Sequence, residues 1–454
     1  MSKLLLERSC AALALALAMA TPHARAQPAA PAAQAVHADA ADTGGAAKPE
    51  ENKEQEKPAA PPGLKVSGHV VFSLGAQRHN RDSLFPVEGD PDEMALVSRK
   101  TSAVFKLNSP AGYSAVLDAQ YDARPYSGRA SRVNQFYVAF DLNSSLRMRV
   151  GKQRVLWGRG FIYVPTDFIN PPLDPSGLDL AKVGVPAVSL DYLSEKYSVT
   201  ALVRRERKGI DSAGIKFAPS GVSGMDLDFV AYHAPSIGNA VGASVALDAE
   251  QLISPRLGGL VLMGGVAAHR KSRYPQIVDG TFSTPAGPVA YPLVGPEGKS
   301  GAYYSLLAGA TYQASNTLLL LGEYYRIGDA YSGSGFDTVL GALTDKGSPR
   351  QAAAQPWLNH LSYGRNKRNY LNVSVNRAAL TEGSNRFTDT FGVEVAMLRS
   401  LDERSGLTSV ALISNYWDQT EVTMRGFFPQ GKRNTEFGTT PYTWHVEFGI
   451  KIGF

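Results

Sequence analysis

Cysteine is almost absent: the 454 residues hold one, Cys10. Without a second thiol the chain carries no disulfide framework and no thiolate zinc site. An excess of one charge is missing too, since 46 Lys and Arg stand against 41 Asp and Glu, a formal net charge of +5. That balance disfavours a protein that grips nucleic acid through a strong basic field. Beyond the first segment the longest run free of charged and strongly polar residues is about Leu257 to Ala268, short of the roughly 20 residues that a membrane-spanning helix needs. Enzyme signatures are lacking as well. There is no H-E-x-x-H and no G-x-S-x-G, and Gly298-Lys299-Ser300 has Leu293 where a phosphate loop requires its first glycine. His69, His79, His233, His269, His360 and His445 are scattered without ligand spacing. The expectation is a non-enzyme with no catalytic residues, no cofactor and no metal.

What is present begins with an export signal. Lys3 and Arg8 precede the apolar run Ala11 to Ala20, and Ala24-Arg25-Ala26 offers small residues around a cleavage point. Residues 1–26 therefore read as a signal peptide. Cys10 lies before the apolar run, which is the wrong place for lipid acylation. Residues 27–63 are almost wholly Ala, Pro, Lys, Glu and other polar types; such a stretch has nothing to pack and reads as a disordered tether in the periplasm. Residues 64–454 form the remaining unit.

In that unit segment after segment alternates with period two, the pattern of a strand with one apolar face. The final stretch shows it best. Tyr442, Trp444, Val446, Phe448, Ile450, Ile452 and Phe454 alternate with Thr443, His445, Glu447, Gly449, Lys451 and Gly453. Similar runs include Leu64 to Leu74, Tyr113 to Tyr121, Phe136 to Leu142, Tyr304 to Tyr312 and Leu407 to Ile413. About sixteen such segments are expected, within a range of 14 to 18. Many are near ten residues, aromatics recur at their ends, and charges occupy the face opposite the apolar stripe. These features favour an all-β transmembrane antiparallel barrel with a hydrated lumen over a soluble sandwich. Arg270 to Lys299 and Asp329 to Leu358 suit long extracellular loops, and Asn143-Ser144-Ser145 suits a short periplasmic turn.

A long alternating last strand ending in phenylalanine, here Trp444, Phe448, Ile452 and Phe454, resembles the assembly signal of bacterial outer-membrane β-barrels. A second resemblance lies in Arg149 to Leu190, read as a strand that becomes a Pro- and Gly-rich insertion. Its Gly151, Gln153, Trp157 and Gly158, followed by Pro165, Thr166, Asp167, Asn170 and Pro171, are similar to a G-x-Q-x-x-x-W-G strand end and Asn-Pro loop of outer-membrane porin-like families. The likeness covers about forty residues. It implies an outer-membrane location in a Gram-negative cell, with outer-membrane lipid, lipopolysaccharide and the barrel assembly machinery as partners.

The insertion is the candidate functional site. The apolar phase slips at Gly151, where a glycine bulge is expected, and a Pro- and Gly-rich segment folds inward with little entropy to lose. Asp167 and Asn170 either shape the loop through local turns, or Asp167 and Asp174 form an acidic wall facing Arg147, Arg149, Arg154 and Arg159. Arg147 and Arg149 share the polar parity of their strand, which points them into the lumen and favours anions there. Arg204, Arg205, Arg207 and Lys208 form a second basic cluster. The function expected is a channel for passive diffusion of small hydrophilic solutes with an anion bias. No nucleic-acid partner is expected, and a homotrimer is one assembly open to it. Three alternatives stand beside it: a dedicated barrel for polysaccharide or apolar compounds, a plugged barrel acting as an outer-membrane hydrolase, and a plugged surface-assembly protein.

Overall fold

The computed structural model describes residues 63–84, 94–122, 131–171, 183–205, 211–274, 276–284, 287–295, 300–345, 347–354, 358, 361, 364–378 and 389–454. The expected signal peptide, nearly all of the tether, and Asp174 lie outside the described residues.

Among the described residues twenty strands follow one another. They are β1 (Lys65–His79), β2 (Met94–Ser109), β3 (Tyr113–Asp122), β4 (Ser131–Asn143), β5 (Leu146–Gln153), β6 (Val185–Leu193) and β7 (Tyr197–Arg205). Next come β8 (Asp211–Pro219), β9 (Met225–Ala234), β10 (Gly238–Asp248), β11 (Leu260–Lys271), β12 (Gln276–Thr284), β13 (Gly287–Gly295) and β14 (Ser300–Gln313). Last are β15 (Leu318–Arg326), β16 (Asn369–Arg377), β17 (Phe391–Ser400), β18 (Ser405–Trp417), β19 (Thr420–Gln430) and β20 (Tyr442–Gly453).

Eighteen of them form one antiparallel sheet in which each strand pairs with its neighbours in the chain and β20 pairs back with β1. The sheet is a closed barrel. Strands β12 and β13 make a separate hairpin within the β11–β14 connection. Closure satisfies both edges of each of these eighteen strands, so none of them offers an unpaired ladder. The count of eighteen stands at the top of the range read from the sequence.

Period two explains the wall. Phe136 (59 % exposed), Val241 (57 %), Val266 (58 %) and Tyr304 (67 %) point outward, while Ser73, Asp118, Gln153, Asp228, Glu323 and Glu447 are buried on the inner face. An apolar outside around a polar inside inverts a water-soluble barrel.

The two ends differ. Connections such as β4–β5, where the Asn143 side chain accepts from the Ser145 amide at 2.9 Å, are tight turns, and both β1 and β20 have their terminal ends on that side. At the other end the β5–β6, β11–β14 and β15–β16 connections are long. The β15–β16 connection carries two helices, α1 (Gly333–Thr344) and α2 (Pro349–Ala354), so the stretches expected as plain loops hold a hairpin and helices. Inward residues are exposed toward the turn end, as at Ser67, Asp141, Arg147 and Asp226. Toward the loop end they are packed. One apolar cluster joins Phe336, Val339, Leu340 and Leu343 of α1 to the inward Tyr325, Tyr370, Leu398 and Phe427; another joins Val155, Trp157, Phe168 and Ile169 to the inward faces of β6 through β11.

Candidate functional site

The second cluster is built by the segment after β5. Its strand part ends at Gln153, whose buried amide donates to the Ala187 carbonyl at 3.1 Å and accepts from the Ser189 hydroxyl at 3.0 Å. Gly151 does not make a bulge. It stays in register with Tyr137 and Ala187, with φ at +129°, and a Cβ there would sit 2.3 Å from the Phe136 carbonyl oxygen. Close approach and backbone angle therefore require glycine, and Lys152 takes the outward position beside Val150, donating to the Val133 carbonyl.

Residues 154–171 then form an inward finger. At its root Asn170 accepts from the Val155 amide at 3.2 Å and donates to the Val155 carbonyl. One rung further, the Thr166 hydroxyl donates to the Trp157 carbonyl at 3.0 Å. Gly158 has φ +96°, and a Cβ would lie 1.9 Å from Thr166 Oγ1. Trp157 and Phe168 pack on Tyr232 of β9, with ring centroids 6.4 and 6.2 Å apart. The tip reaches β15, the eighth strand round from β5 in a ring of eighteen. There the Phe161 and Ile162 amides donate to the Glu323 carboxylate at 2.6 and 3.2 Å. Tyr163 stacks on Tyr325 at 5.1 Å, and the Arg365 guanidinium lies 5.2 Å over the Tyr163 ring. The finger thus runs from one wall to a nearly opposite one. Since β6 starts at Val185, the non-strand stretch is shorter than the Arg149 to Leu190 insertion read from sequence.

Arg147, Arg149, Arg154 and Arg159 are each matched by a carboxylate. Arg147 lies 3.5 Å from Asp141 and donates to Ser114, Arg149 meets Asp191 at 2.8 Å, and Arg154 meets Asp118 at 2.6 Å. Arg159 lies 3.3 Å from Asp226 and 3.7 Å from Asp228. Asp167 turns back on its own loop, its Oδ1 accepting from the Ile169 and Asn170 amides and from the Asn170 side chain. The arginines at 147 and 149, expected to favour anions, thus lie beside Asp141 and Asp191. Of the later basic cluster, Arg204 donates to the Ile169 carbonyl at 2.6 Å and so braces the finger, whereas Arg205 is exposed on the outer face.

Several interior groups escaped the sequence. Glu447 of β20 accepts from Ser73 at 2.9 Å and pairs with Lys100 at 3.2 Å, and Arg425 pairs with Glu394 at 2.9 Å. The inward parity of Glu447 was visible in the last strand, but not its partners, because they sit on strands distant in sequence. Beyond the strands, Asp329 accepts from Arg273 and faces His269 at 3.5 Å. Burial pushes that carboxyl up, but the Arg273 guanidinium and the His269 ring together hold it well below the usual range. Glu436 in the β19–β20 loop is fully buried. One of its oxygens accepts three successive amides, Gly364, Arg365 and Asn366, at 2.8, 3.1 and 3.0 Å, and the other accepts from Tyr370. Burial raises it to about 7 against the pull of those donors.

The fold is the class of closed antiparallel barrel in which a long connection turns into the lumen, the architecture of outer-membrane barrels. No family model matches the chain, and no curated protein matches its sequence. Among solved structures the chain is similar to Wzi of Escherichia coli, an outer-membrane protein described as a carbohydrate-binding β-barrel involved in group 1 capsule assembly. The TM-score is 0.50 at 9 % identity, over 85 % of this chain and 84 % of that one. It is also similar to OccAB3 of Acinetobacter baumannii (TM-score 0.47, 10 % identity, 86 % and 99 % covered). A variant of the Rh. blastica porin matches at a TM-score of 0.42 and 11 % identity, with 86 % and 100 % covered. At these identities the likeness is one of fold.

Proposed function

We propose that the protein is an outer-membrane β-barrel channel through which small hydrophilic solutes diffuse, with the finger at residues 154–171 as its constriction. The observation that carries this reading is the finger itself, a hydrogen-bonded segment that leaves one wall and is held on a nearly opposite one. The outward apolar surface suits lipid, and the polar, charged inner face at the turn end suits water. On this reading residues 1–26 direct export, residues 27–63 stay in the periplasm, the long loops face outward from the cell, and the chain catalyses no reaction. Selection is by size, with balanced rather than one-signed charge along the Arg147, Arg149, Arg154 and Arg159 side.

A second reading has its own observation. The two apolar clusters fill inward positions at the loop end, as a barrel plugged at its outer mouth requires. Such a barrel serves as a platform for surface polysaccharide. Single-channel recording of the refolded mature chain in a planar bilayer separates the two. Ohmic steps that grow when residues 159–164 are replaced by a short Gly-Ser link support the channel; a silent, stably folded barrel in both forms sinks it and favours the platform.

A further inference from the structure

We propose that the outer edge of β12 docks the same strand of a second copy of this chain, joining two barrels through one antiparallel sheet at their loop ends. The proposal goes beyond the channel and platform readings and holds under either.

The barrel wall has no open strand edge, but the β12–β13 hairpin lies outside that ring, and among the described residues its strands pair only with each other. It springs from the rim, since four residues separate β11 from β12 and four separate β13 from β14.

Its two outer edges are not alike. Two residues join the strands, and Thr284 pairs with Gly287 at the closed end. In such a hairpin the closing pair exchanges backbone hydrogen bonds, and every second pair after it does the same. The pairs between turn their amides and carbonyls away from the partner strand. On β13 those positions are Pro288, Ala290, Pro292 and Val294, opposite Ser283, Thr281, Asp279 and Ile277 of β12. Pro288 and Pro292 have no N–H, so half the donors of that edge are missing, which closes an edge strand to pairing. Helix α2 also packs against β13. The β12 edge has no such block. No proline occurs from Gln276 to Thr284, and Asp279 is the one charged residue. Ile277, Asp279, Thr281 and Ser283 carry an unbroken row of N–H and C=O groups along it, and an extended strand is what such a row takes.

The order of residues selects the partner. Laid antiparallel on a second copy with Gly280 opposite Gly280, β12 sets Ile277 against Ser283, Asp279 against Thr281 and Val278 against Phe282. All four edge residues then have hydrogen-bonding partners, and an aromatic residue meets a β-branched one on each side of the two-fold axis. Sliding the copies by two residues brings Asp279 against Asp279 and leaves Ser283 beyond the end of the other β12. The contact is isologous and closes at two copies. Confinement to one membrane raises the concentration at which the copies meet, so a junction of one strand pair can hold them.

The test uses single cysteines, because the chain from residue 27 onward has none. The full mature chain is refolded into phosphatidylcholine vesicles, and barrel insertion is read separately from heat-modifiable mobility in gels. Gly280→Cys should form a disulfide-linked dimer at least about tenfold faster than Gln276→Cys, whose copies would stand about 27 Å apart, beyond disulfide reach. A mixture of Gln276→Cys and Thr284→Cys should link one to the other and neither to itself. Adding Thr281→Pro to Gly280→Cys removes an N–H from the docking edge and should slow linking by the same factor; Ala290→Pro, on the outer edge of β13, should leave it unchanged. Unlinked Gly280→Cys in an inserted barrel, equal linking at 276 and 280, or linking untouched by Thr281→Pro overturns the proposal.

Discussion

Asn170 closes the root of the finger on Val155, taking both backbone groups of that residue with one side-chain amide. A single residue thus fixes where the chain leaves the wall and where it returns.

Asn170→Ala leaves the Val155 amide and carbonyl without those partners in a half-buried site, at a cost of about 2 kcal/mol. The expected outcome is faster amide exchange across Trp157 to Ile169 with unchanged resistance of the barrel to sodium dodecyl sulfate. Exchange equal to wild type would show that Trp157 and Phe168 hold the finger without Asn170.

Gly158→Ala should act more strongly. Its φ of +96° disfavours any Cβ, and the methyl would overlap Thr166 Oγ1; backbone conformation alone costs roughly 1–2 kcal/mol. In bilayers this variant is expected to show noisier and larger conductance than Asn170→Ala. A quiet, wild-type trace would mean that the finger does not limit the current.

Arg149 and Asp191 are a partly exposed pair, worth on the order of 1 kcal/mol or less to stability. Their field is the better readout. In a salt gradient, Arg149→Ala should move the reversal potential toward cation preference, and Arg149→Ala/Asp191→Ala should restore it. A double variant that stays displaced would show that the two charges do not balance across the permeation path.

Glu436 gives the loop end a pH dependence. Its carboxyl is raised to about 7 in the folded loops against about 4.3 in an open chain, so the packed state binds the proton more tightly. The resulting stabilisation is full below the open-chain value and is lost as pH rises through about 7. Amide exchange of Gly364 to Asn366, corrected for intrinsic rates, should therefore accelerate from pH 6 to pH 8. Glu436→Gln, which keeps an acceptor without a charge, should flatten that rise; an unchanged rise would place the titrating group elsewhere.

The wall was legible wherever one face meets apolar surroundings and the other meets water. The final strand from Tyr442 is the clearest example. Strands β2, β6, β8 and β19 were not individually legible, for physical reasons that differ. In β2 an extra residue opposite Gly75 and Ala76 shifts the phase. In β6 the inward residues Val185 and Ala187 are apolar because the finger packs on them, and Pro186 imitates a loop. In β8 the inward Gly214 is small because Trp157 lies against it, and in β19 Phe427 is turned into the helix-bearing cluster. Interior packing by a distant segment erases the alternation that reveals a strand. Of the site, the glycine, tryptophan and asparagine of the motif were visible, while their role as a scaffold was not, since Glu323 and Tyr232 that receive them lie far along the chain.

Ser73 and Glu447 meet across the seam of β1 and β20 although 374 positions separate them. At the same seam Phe454 exchanges both backbone hydrogen bonds with Gly68. A ring closed in this way has no order of partial completion that shields its first strand; until the last one arrives, β1 keeps an open ladder and every outward side chain stays without its proper surroundings. Contacts of such separation form slowly. The interval before closure is thus the period in which the chain depends most on being held apart from its own copies, and the pairing that ends it is supplied by β20.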